Sequence, residues 1–232
     1  MSNILSFTLI IIAIIIFILI ISKKSKKNEN LGYIPKDKIK NKYEINSDIF
    51  VPDNEFSEYF FENTDFNQPF FQFSGLDHLG RAGIANAVIN KVMINSLKRE
   101  KNKNINYKPS GFYQKKYKEI EDEFLYNRCH LLGYQLIYND DRRNLMTGTR
   151  DFNVKGMLPI ENAIREFIMN EEGIVKYEII PDFHKDEFLA RGAYIKAIGV
   201  SGGKVRLKIN GYVKNIQAGI KIDYNSGFSR KE

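Results

Sequence analysis

The sequence contains no tryptophan and a single cysteine, Cys129. One cysteine cannot form an internal disulfide, which excludes a small disulfide-stapled fold and gives no indication of an oxidising or reducing compartment. A low apolar content, which is typical of disordered proteins, is also absent: 43% of the 232 residues are hydrophobic and 13% are aromatic. Its length and composition therefore allow one hydrophobic core of ordinary size together with an accessory segment.

Charge is distributed unevenly along the chain, whose formal net charge is +7. Residues 23–42 carry a net charge of +6 and residues 98–118 a net charge of +7, whereas residues 43–97 carry −6. Residues 119–232 contain equal numbers of basic and acidic side chains. The pI near 9.2 therefore arises from two basic stretches in an otherwise neutral or acidic chain.

Residues 4–21 form an apolar run in which only Ser6 and Thr8 are polar. A helix of 18 residues is ~27 Å long, which just spans the hydrocarbon core of a bilayer. We therefore predict that residues 1–22 are a transmembrane anchor or signal-anchor and that the membrane is a partner through residues 4–21. A cleaved signal peptide is the alternative, but the segment has neither a basic start nor a small-residue cleavage site.

Residues 23–42 are polar, rich in lysine and asparagine, and without periodicity, which predicts a basic juxtamembrane linker. Attraction to anionic lipid headgroups is sufficient to explain their charge. Four lysines directly follow the apolar run, and the positive-inside rule would place that side of the membrane in the cytoplasm.

Residues 43–232 form the predicted globular domain, for which we predict an α+β fold. Strands are indicated by β-branched residues and turn signals in five segments: 80–89, 125–132, 174–180, 190–200 and 205–213. Clear helical periodicity runs from Pro159 to about Asn170. The apolar residues of that helix share one face: Ile160, Ala163, Ile164, Phe167 and Ile168.

Residues 124–170 contain many polar side chains within apolar sequence. A neutral imidazole such as His130 can act as general base toward water. An amide and a carboxylate, as in Asn153 and Glu161, can hold a hard divalent ion that keeps most of its waters. An arginine such as Arg165 can meet negative charge on a phosphoryl oxygen. Water, Mg²⁺ and arginine are the parts that phosphodiester hydrolysis requires.

Each of these residues also has a structural explanation. His130 could be a core imidazole bonded to a backbone carbonyl, because a single histidine is a weak signal. Asn153 could be a turn residue. Glu161 and Arg165 could be a surface ion pair on one helix, worth ~0.3–0.5 kcal/mol.

Three motifs in this region resemble those of DNA/RNA non-specific endonucleases of the ββα-metal (His-Me finger) type, particularly the secreted or membrane-bound DNases of Gram-positive bacteria. The family motif Asp-Arg-Gly-His is similar to residues 127–130 (Asn-Arg-Cys-His). The run Asn-Leu-x-Thr-Gly-Thr-Arg-x-x-Asn corresponds to residues 144–153, and Gly-Met-Leu-Pro-x-Glu-Asn to residues 156–162. The resemblance is specific over a motif core of residues 107–170 and implies a ββα-metal nuclease domain with a central, mostly antiparallel sheet.

The resemblance implies roles for four residues. His130 matches the general base, and Asn153 matches the side chain that binds Mg²⁺ directly, with Mn²⁺ as a substitute. Glu161 matches the carboxylate that orients the metal's waters, and Arg165 matches the arginine at the scissile phosphate. The expected activity is hydrolysis of DNA with little sequence preference, and RNA is left open as a second substrate.

Four basic residues are predicted to bind substrate: Lys98, Arg99, Lys108 and Arg128. Within residues 98–118, lysines alternate with aromatic residues, a pattern that suits phosphate neutralisation and base stacking. The aromatic residues are Tyr107, Phe112, Tyr113 and Tyr117. A solvated lysine-rich loop is the alternative explanation.

Two departures from the family motif leave other functions open. Asn127 replaces the usual aspartate and Cys129 the usual glycine, which would also fit a catalytically weak, membrane-anchored DNA-binding module for DNA uptake or attachment. An enzyme with Cys129 as nucleophile is a third hypothesis, disfavoured because neighbouring strand residues point to opposite faces.

The location of the domain follows from the same resemblance. We predict a membrane-anchored protein whose catalytic domain is outside the cell, or a secreted one if the N-terminal segment is cleaved. This conflicts with the lysines after the apolar run. A cytoplasmic domain would require an inhibitor protein as partner.

Overall fold

The computed structural model describes residues 45, 48–53, 65–97 and 106–232. The predicted anchor (residues 1–22), the predicted linker (residues 23–42), Lys98 and Arg99 lie outside the described residues, so those assignments stay predictions. In the part of the chain that is described, no helix is both long enough and apolar enough to cross a membrane.

A six-stranded antiparallel sheet is the centre of the domain. Its strand order is β1-β8-β7-β6-β3-β2, and every neighbouring pair is antiparallel. The strands are β1 (Phe50–Pro52), β2 (Phe70–Phe73), β3 (Ala85–Ile89), β6 (Ile174–Asp182), β7 (Gly192–Ser201) and β8 (Lys204–Lys214). Alternate residues of strand β6 face the core, because Val175, Tyr177 and Ile179 are buried while their neighbours face outward. This alternation is what a strand with one buried face requires. The predicted central antiparallel sheet is confirmed.

Helix α3 (Leu158–Asn170) packs against this sheet through the apolar face expected from its periodicity. All five residues of that face are buried. Phe167 occupies the space that side chains at Gly173 and Gly199 would need, so those two glycines let the helix approach the sheet closely. The apolar face of the helix, with its period of 3.6 residues, and the apolar face of the sheet, with its period of 2, thus form one hydrophobic core.

A smaller two-stranded sheet precedes α3 in the sequence. Strand β4 (Tyr126–His130) pairs antiparallel with β5 (Leu145–Thr149), in a register that places His130 opposite Leu145. The connection between them contains α2 (Tyr134–Ile137) and a 3₁₀ turn (Arg142–Asn144). Together β4, β5 and α3 form a ββα unit.

Three further elements complete the described chain. Helix α1 (Lys91–Ser96) is capped by Asn90, whose side chain accepts a hydrogen bond of 2.8 Å from the backbone N–H of Met93. Strands β9 (Ile220–Ile222) and β10 (Ser229–Lys231) form an antiparallel hairpin. The periodicity of the sequence did not predict any of these three.

Candidate active site

Asn153 lies in a π-helical turn (Phe152–Met157) that runs directly into α3. The helix was expected to start at Pro159, but the helical conformation already begins at Arg150. In a regular α-helix, eight residues rotate about 80° beyond two full turns, which would separate Asn153 from Glu161. A wider π turn rotates the chain less per residue and so reduces this offset.

His130 is the last residue of β4 and faces a carboxylate. Its Nε2 lies 2.8 Å from Oδ1 of Asp140, and the His130 side chain is 20% exposed. A carboxylate accepts hydrogen bonds, so Nε2 carries the ring proton and Nδ1 keeps its lone pair. Burial lowers the pKa of His130, and the hydrogen bond to Asp140 opposes that shift. The imidazole is therefore neutral at pH 7, the state that a general base requires.

Glu161 lies in the first turn of α3 and is partly buried. Burial raises the pKa of Glu161 to about 8, and a hydrogen bond from the Gln135 side chain opposes the shift. The Glu161 carboxylate lies against the Cα atom of Gly133, where a Cβ atom would collide with it. With this pKa the side chain is mostly protonated at pH 7 in the absence of a cation, and a cation bound beside it would favour the ionised form.

Helix α2 connects the three predicted catalytic residues. The ring of Tyr134 lies 5.5 Å from the His130 ring, centroid to centroid. The backbone carbonyl of Gln135 accepts a hydrogen bond of 2.6 Å from Nη1 of Arg165, while its side chain hydrogen-bonds to Glu161. One short helix thus contacts His130, Glu161 and Arg165.

Arg165 does not form the surface ion pair that its spacing from Glu161 suggested. The described structure contains no salt bridge between these two side chains, and Arg165 makes no hydrogen bond to a described residue other than the one to Gln135. Its remaining N–H groups can therefore donate to an anionic ligand.

We expect Gly133→Ala to reduce catalysis with little loss of stability. The new methyl group would displace the Glu161 carboxylate, which is the end of a flexible side chain, while the backbone of Gly133 (φ −49°) suits alanine. Cleavage should fall at least roughly 10-fold, since small displacements of positioning groups have large kinetic effects. Steady-state rates and thermal unfolding would be measured.

Gly75→Ala is the matched control, because nothing lies within 4 Å of a Cβ atom at that position. It should leave the rate unchanged. Equal rates for Gly133→Ala and the unmodified chain would show that the carboxylate position does not matter for catalysis.

Asn144 fixes the chain on both sides of the β4–β5 connection, and sequence reasoning cited it only as the first residue of a motif. It is fully buried. Its Oδ1 accepts a 2.9 Å hydrogen bond from the N–H of Leu132, and its Nδ2 donates to the carbonyls of Leu132 and Asn139. These bonds tie the residues just after His130 to the loop that carries Asp140.

Two amides from the C-terminal part of the chain hold β5 and the start of the π turn. Asn215 is fully buried; its Oδ1 accepts from the N–H of Thr149, and its Nδ2 donates to the carbonyls of Thr147 and Ala190. Gln217 accepts from the N–H of Asp151 at 3.1 Å. Because Thr149 and Asp151 lie 66 residues away in sequence from these two amides, no local pattern indicates the contacts.

Comparison with known proteins identifies the family. The family model for DNA/RNA non-specific endonucleases matches residues 63–198, which is more than half of the chain. The chain belongs to this family. It is therefore a nuclease, a hydrolase of nucleic acid. No curated protein matches the chain.

Solved structures of nucleases share the fold of this chain. NucA from Streptococcus agalactiae, solved with a magnesium ion bound, aligns with a TM-score of 0.64 at 21% identity, over 73% of this chain and 83% of NucA. The Sda1 nuclease, solved with a bound zinc ion, aligns with a TM-score of 0.57 at 29% identity, over 68% of this chain and 79% of Sda1. An extracellular endonuclease aligns with a TM-score of 0.52 at 20% identity, over 70% of this chain and 86% of its own.

Cys129 of the nuclease is a core residue. Its side chain is fully buried and packs against Gly148, where a Cβ atom would collide with the sulfur. Burial raises the pKa of the Cys129 thiol far above its ordinary value. A buried, protonated thiol is a poor nucleophile, so the structure argues against the hypothesis of a Cys129 enzyme.

The substrate-binding candidates of the nuclease differ in their surroundings. Lys108 is exposed. Arg128 is partly buried, donates from Nε to the carbonyl of Tyr107 at 2.6 Å, and lies over the ring of Phe112 at 5.0 Å. Tyr117 was grouped with the aromatics that could stack on bases, but this was wrong, because the ring is buried in a hydrophobic cluster.

The residues of the nuclease fit a hard divalent cation held mainly by water. Among the described residues, no group of three or more His, Cys, Asp or Glu side chains could hold a metal ion. The side-chain amide of Asn153 makes no hydrogen bond to a described residue, and Glu161, eight residues further along the chain, is an acidic residue with a raised pKa. One amide oxygen and one carboxylate suit Mg²⁺, which usually keeps several waters.

Proposed function

We propose that this nuclease is a metal-dependent endonuclease that hydrolyses phosphodiester bonds of DNA with little sequence preference, with RNA left open as a second substrate. The observation that carries the proposal is the contact of one helix, α2, with His130, Glu161 and Arg165. A general base, a carboxylate and a cation held by one rigid element suit phosphoryl chemistry.

In the proposed reaction, His130 is the general base. Nδ1 takes a proton from the attacking water as the water oxygen bonds to phosphorus, and the bond from phosphorus to the 3′ oxygen breaks. The neutral state of the imidazole supports this role. Arg165 donates N–H groups to the phosphate oxygens, where negative charge grows in the transition state.

The proposed cofactor is Mg²⁺, with Mn²⁺ as a substitute. Asn153 would hold the ion by its amide oxygen, and Glu161 would hold the ion's waters. When bound, the ion stabilises the negative charge on the phosphate and on the leaving oxygen. Support for a divalent metal comes from the unbonded Asn153 amide and from the metals named for NucA and Sda1.

The proposed substrate contacts are made by Lys98, Arg99, Lys108 and Arg128. Contacts of lysine and arginine with phosphates are independent of sequence, in agreement with a non-specific enzyme. We further propose that residues 1–22 tether the domain to a membrane and that the domain acts outside the cell. The extracellular endonuclease that shares its fold supports that location.

The experiment that tests the proposed function uses the full chain with supercoiled plasmid DNA and with single-stranded RNA. We expect fragments of many lengths in Mg²⁺ or Mn²⁺ and none after addition of EDTA. Salt-sensitive DNA binding without cleavage in either metal would contradict the proposal and favour the DNA-binding module instead.

A further inference from the structure

We propose that Asp140 is a positioning residue that fixes the tautomer and orientation of His130. The inference rests on the proposed function for its kinetic consequence. Its structural basis is the 2.8 Å contact between Oδ1 of Asp140 and Nε2 of His130, between side chains that are 24% and 20% exposed. Asp140 belongs to none of the motifs that carried the family resemblance in the sequence.

The contact matters because a neutral imidazole has two tautomers. An ionised carboxylate accepts hydrogen bonds only, so it selects the tautomer with the proton on Nε2. Nδ1 then keeps its lone pair and makes no hydrogen bond to a described residue. A histidine with the other tautomer would present a proton where the base must accept one.

The carboxylate of Asp140 interacts with His130 and not with the neighbouring arginines. Two arginines follow closely in the chain, and both are engaged elsewhere: Arg143 pairs with Asp141 at 2.7 Å, and Arg142 lies over the Tyr107 ring at 5.6 Å. Within the described residues, Asp140 has no hydrogen-bond or ion-pair partner other than His130. Its charge therefore acts on the imidazole.

The loop around Asp140 is built to hold it in place. Tyr138, the residue that follows α2, has a left-handed conformation (φ 46°), which turns the chain back toward β4. Asn139 then accepts hydrogen bonds on both its side chain, from the N–H of Asp141, and its carbonyl, from Asn144. Asp140 thus stands between two anchored residues.

Asp141 provides a matched comparison, because it is adjacent in sequence but has a structural role. Its Oδ1 accepts hydrogen bonds from the backbone N–H and from Nε of Arg143, and it caps the 3₁₀ turn. Substitution of either aspartate by asparagine perturbs the same loop, but only Asp140→Asn changes the group that faces His130.

The kinetic test compares Asp140→Asn with Asp141→Asn in the full chain, with plasmid DNA and Mg²⁺. An asparagine can bond to either tautomer of His130, so the selection is lost and kcat should fall roughly 10- to 1,000-fold with little change in KM. Asp141→Asn should keep kcat near the original value. An equal loss in both variants would overturn the inference, because it would indicate loop damage alone.

The pH dependence gives a readout that a structural role would not change. Activity should rise with pH as His130 loses its proton, and Asp140 raises the pKa of His130 because it favours the charged ring. In Asp140→Asn the rising limb should therefore move to lower pH. The titratable side chains that the described structure places against the ring are Asp140 and Tyr134. A rising limb of the pH–activity profile at the same pH in Asp140→Asn and in the unmodified chain would contradict the proposal.

Nitrogen-15 NMR of the imidazole separates this inference from the proposed function. The chain has three histidines, so the His130 signals can be assigned by their loss in His130→Ala. We expect the Nε2–H tautomer in the unmodified chain and a mixture in Asp140→Asn, without any substrate. The same tautomer in both would overturn the positioning role even if the chain cleaves DNA. The expected change in an inactive chain would uphold that role and reject the proposed function.

Discussion

Replacement of His130 by alanine is expected to lower plasmid cleavage by roughly 10²- to 10⁴-fold, the usual contribution of a general base. The residual rate would come from the metal and from Arg165, which do not depend on the imidazole. The fold should persist, because His130 lies at the end of β4 with a side chain that is 20% exposed. Initial rates of supercoil loss, measured at matched protein concentrations, would give the result.

His78→Ala is the appropriate control, because His78 is exposed and far from the motifs in sequence. Its rate should match that of the unmodified chain. Undiminished cleavage by His130→Ala would reject His130 as the base. A normal melting temperature for the inactive variant would exclude unfolding as the cause of the loss.

Replacement of Asn144 by alanine should have the second large effect, a loss of roughly 2–4 kcal/mol in the free energy of unfolding. The substitution removes one acceptor and two donor interactions and leaves the N–H and carbonyl of Leu132, together with the carbonyl of Asn139, without their partner. Each buried polar group that loses its partner lowers the free energy of unfolding by about 1–3 kcal/mol, and groups that then hydrogen-bond to water recover part of this loss. Against a typical total of about 5–15 kcal/mol, this is a major loss.

Urea unfolding of Asn144→Ala and of Asn67→Ala would measure the difference. Asn67 is exposed and, within the part of the chain that the structure describes, hydrogen-bonds only to Asp65, so its replacement should change stability by less than about 0.5 kcal/mol. Asn144→Ala should also lose activity at temperatures where it remains folded, because the loop that carries Asp140 loses an anchor. A stability close to that of Asn67→Ala would show that other contacts hold the connection.

The elements that sequence predicted well are long and have a clear residue pattern. Helix α3 shows five apolar residues on one face, strand β6 alternates over its nine residues, and the longer strands β7 and β8 are rich in β-branched side chains. Helix α2 has four residues, too few to show any periodicity. The π turn before α3 was missed because its sequence, with Gly156 and the Asn153 motif position, is typical of a turn.

The residues of the candidate site also fall into those that the sequence predicts and those that only the folded structure reveals. His130, Asn153, Glu161 and Arg165 could be selected from residue type and from the family motifs. Asp140, Asn144 and Asn215 could not, because their value depends on what a folded loop brings near them. Hydrogen bonds from one side chain to a distant backbone leave no periodic signal. The mistake over Tyr117 has a similar origin, since a tyrosine in a lysine-rich stretch is read as exposed.

The sheet and the two C-terminal amides have a consequence for synthesis of the enzyme. Residues 126–170 contain the proposed catalytic residues, yet β1 pairs with β8, and Asn215 and Gln217 complete the support of β5 and the start of the π turn. A ribosome adds roughly 5–20 residues per second, and pairings distant in sequence form late. The nascent chain therefore has no assembled nuclease until residues 204–217 have emerged.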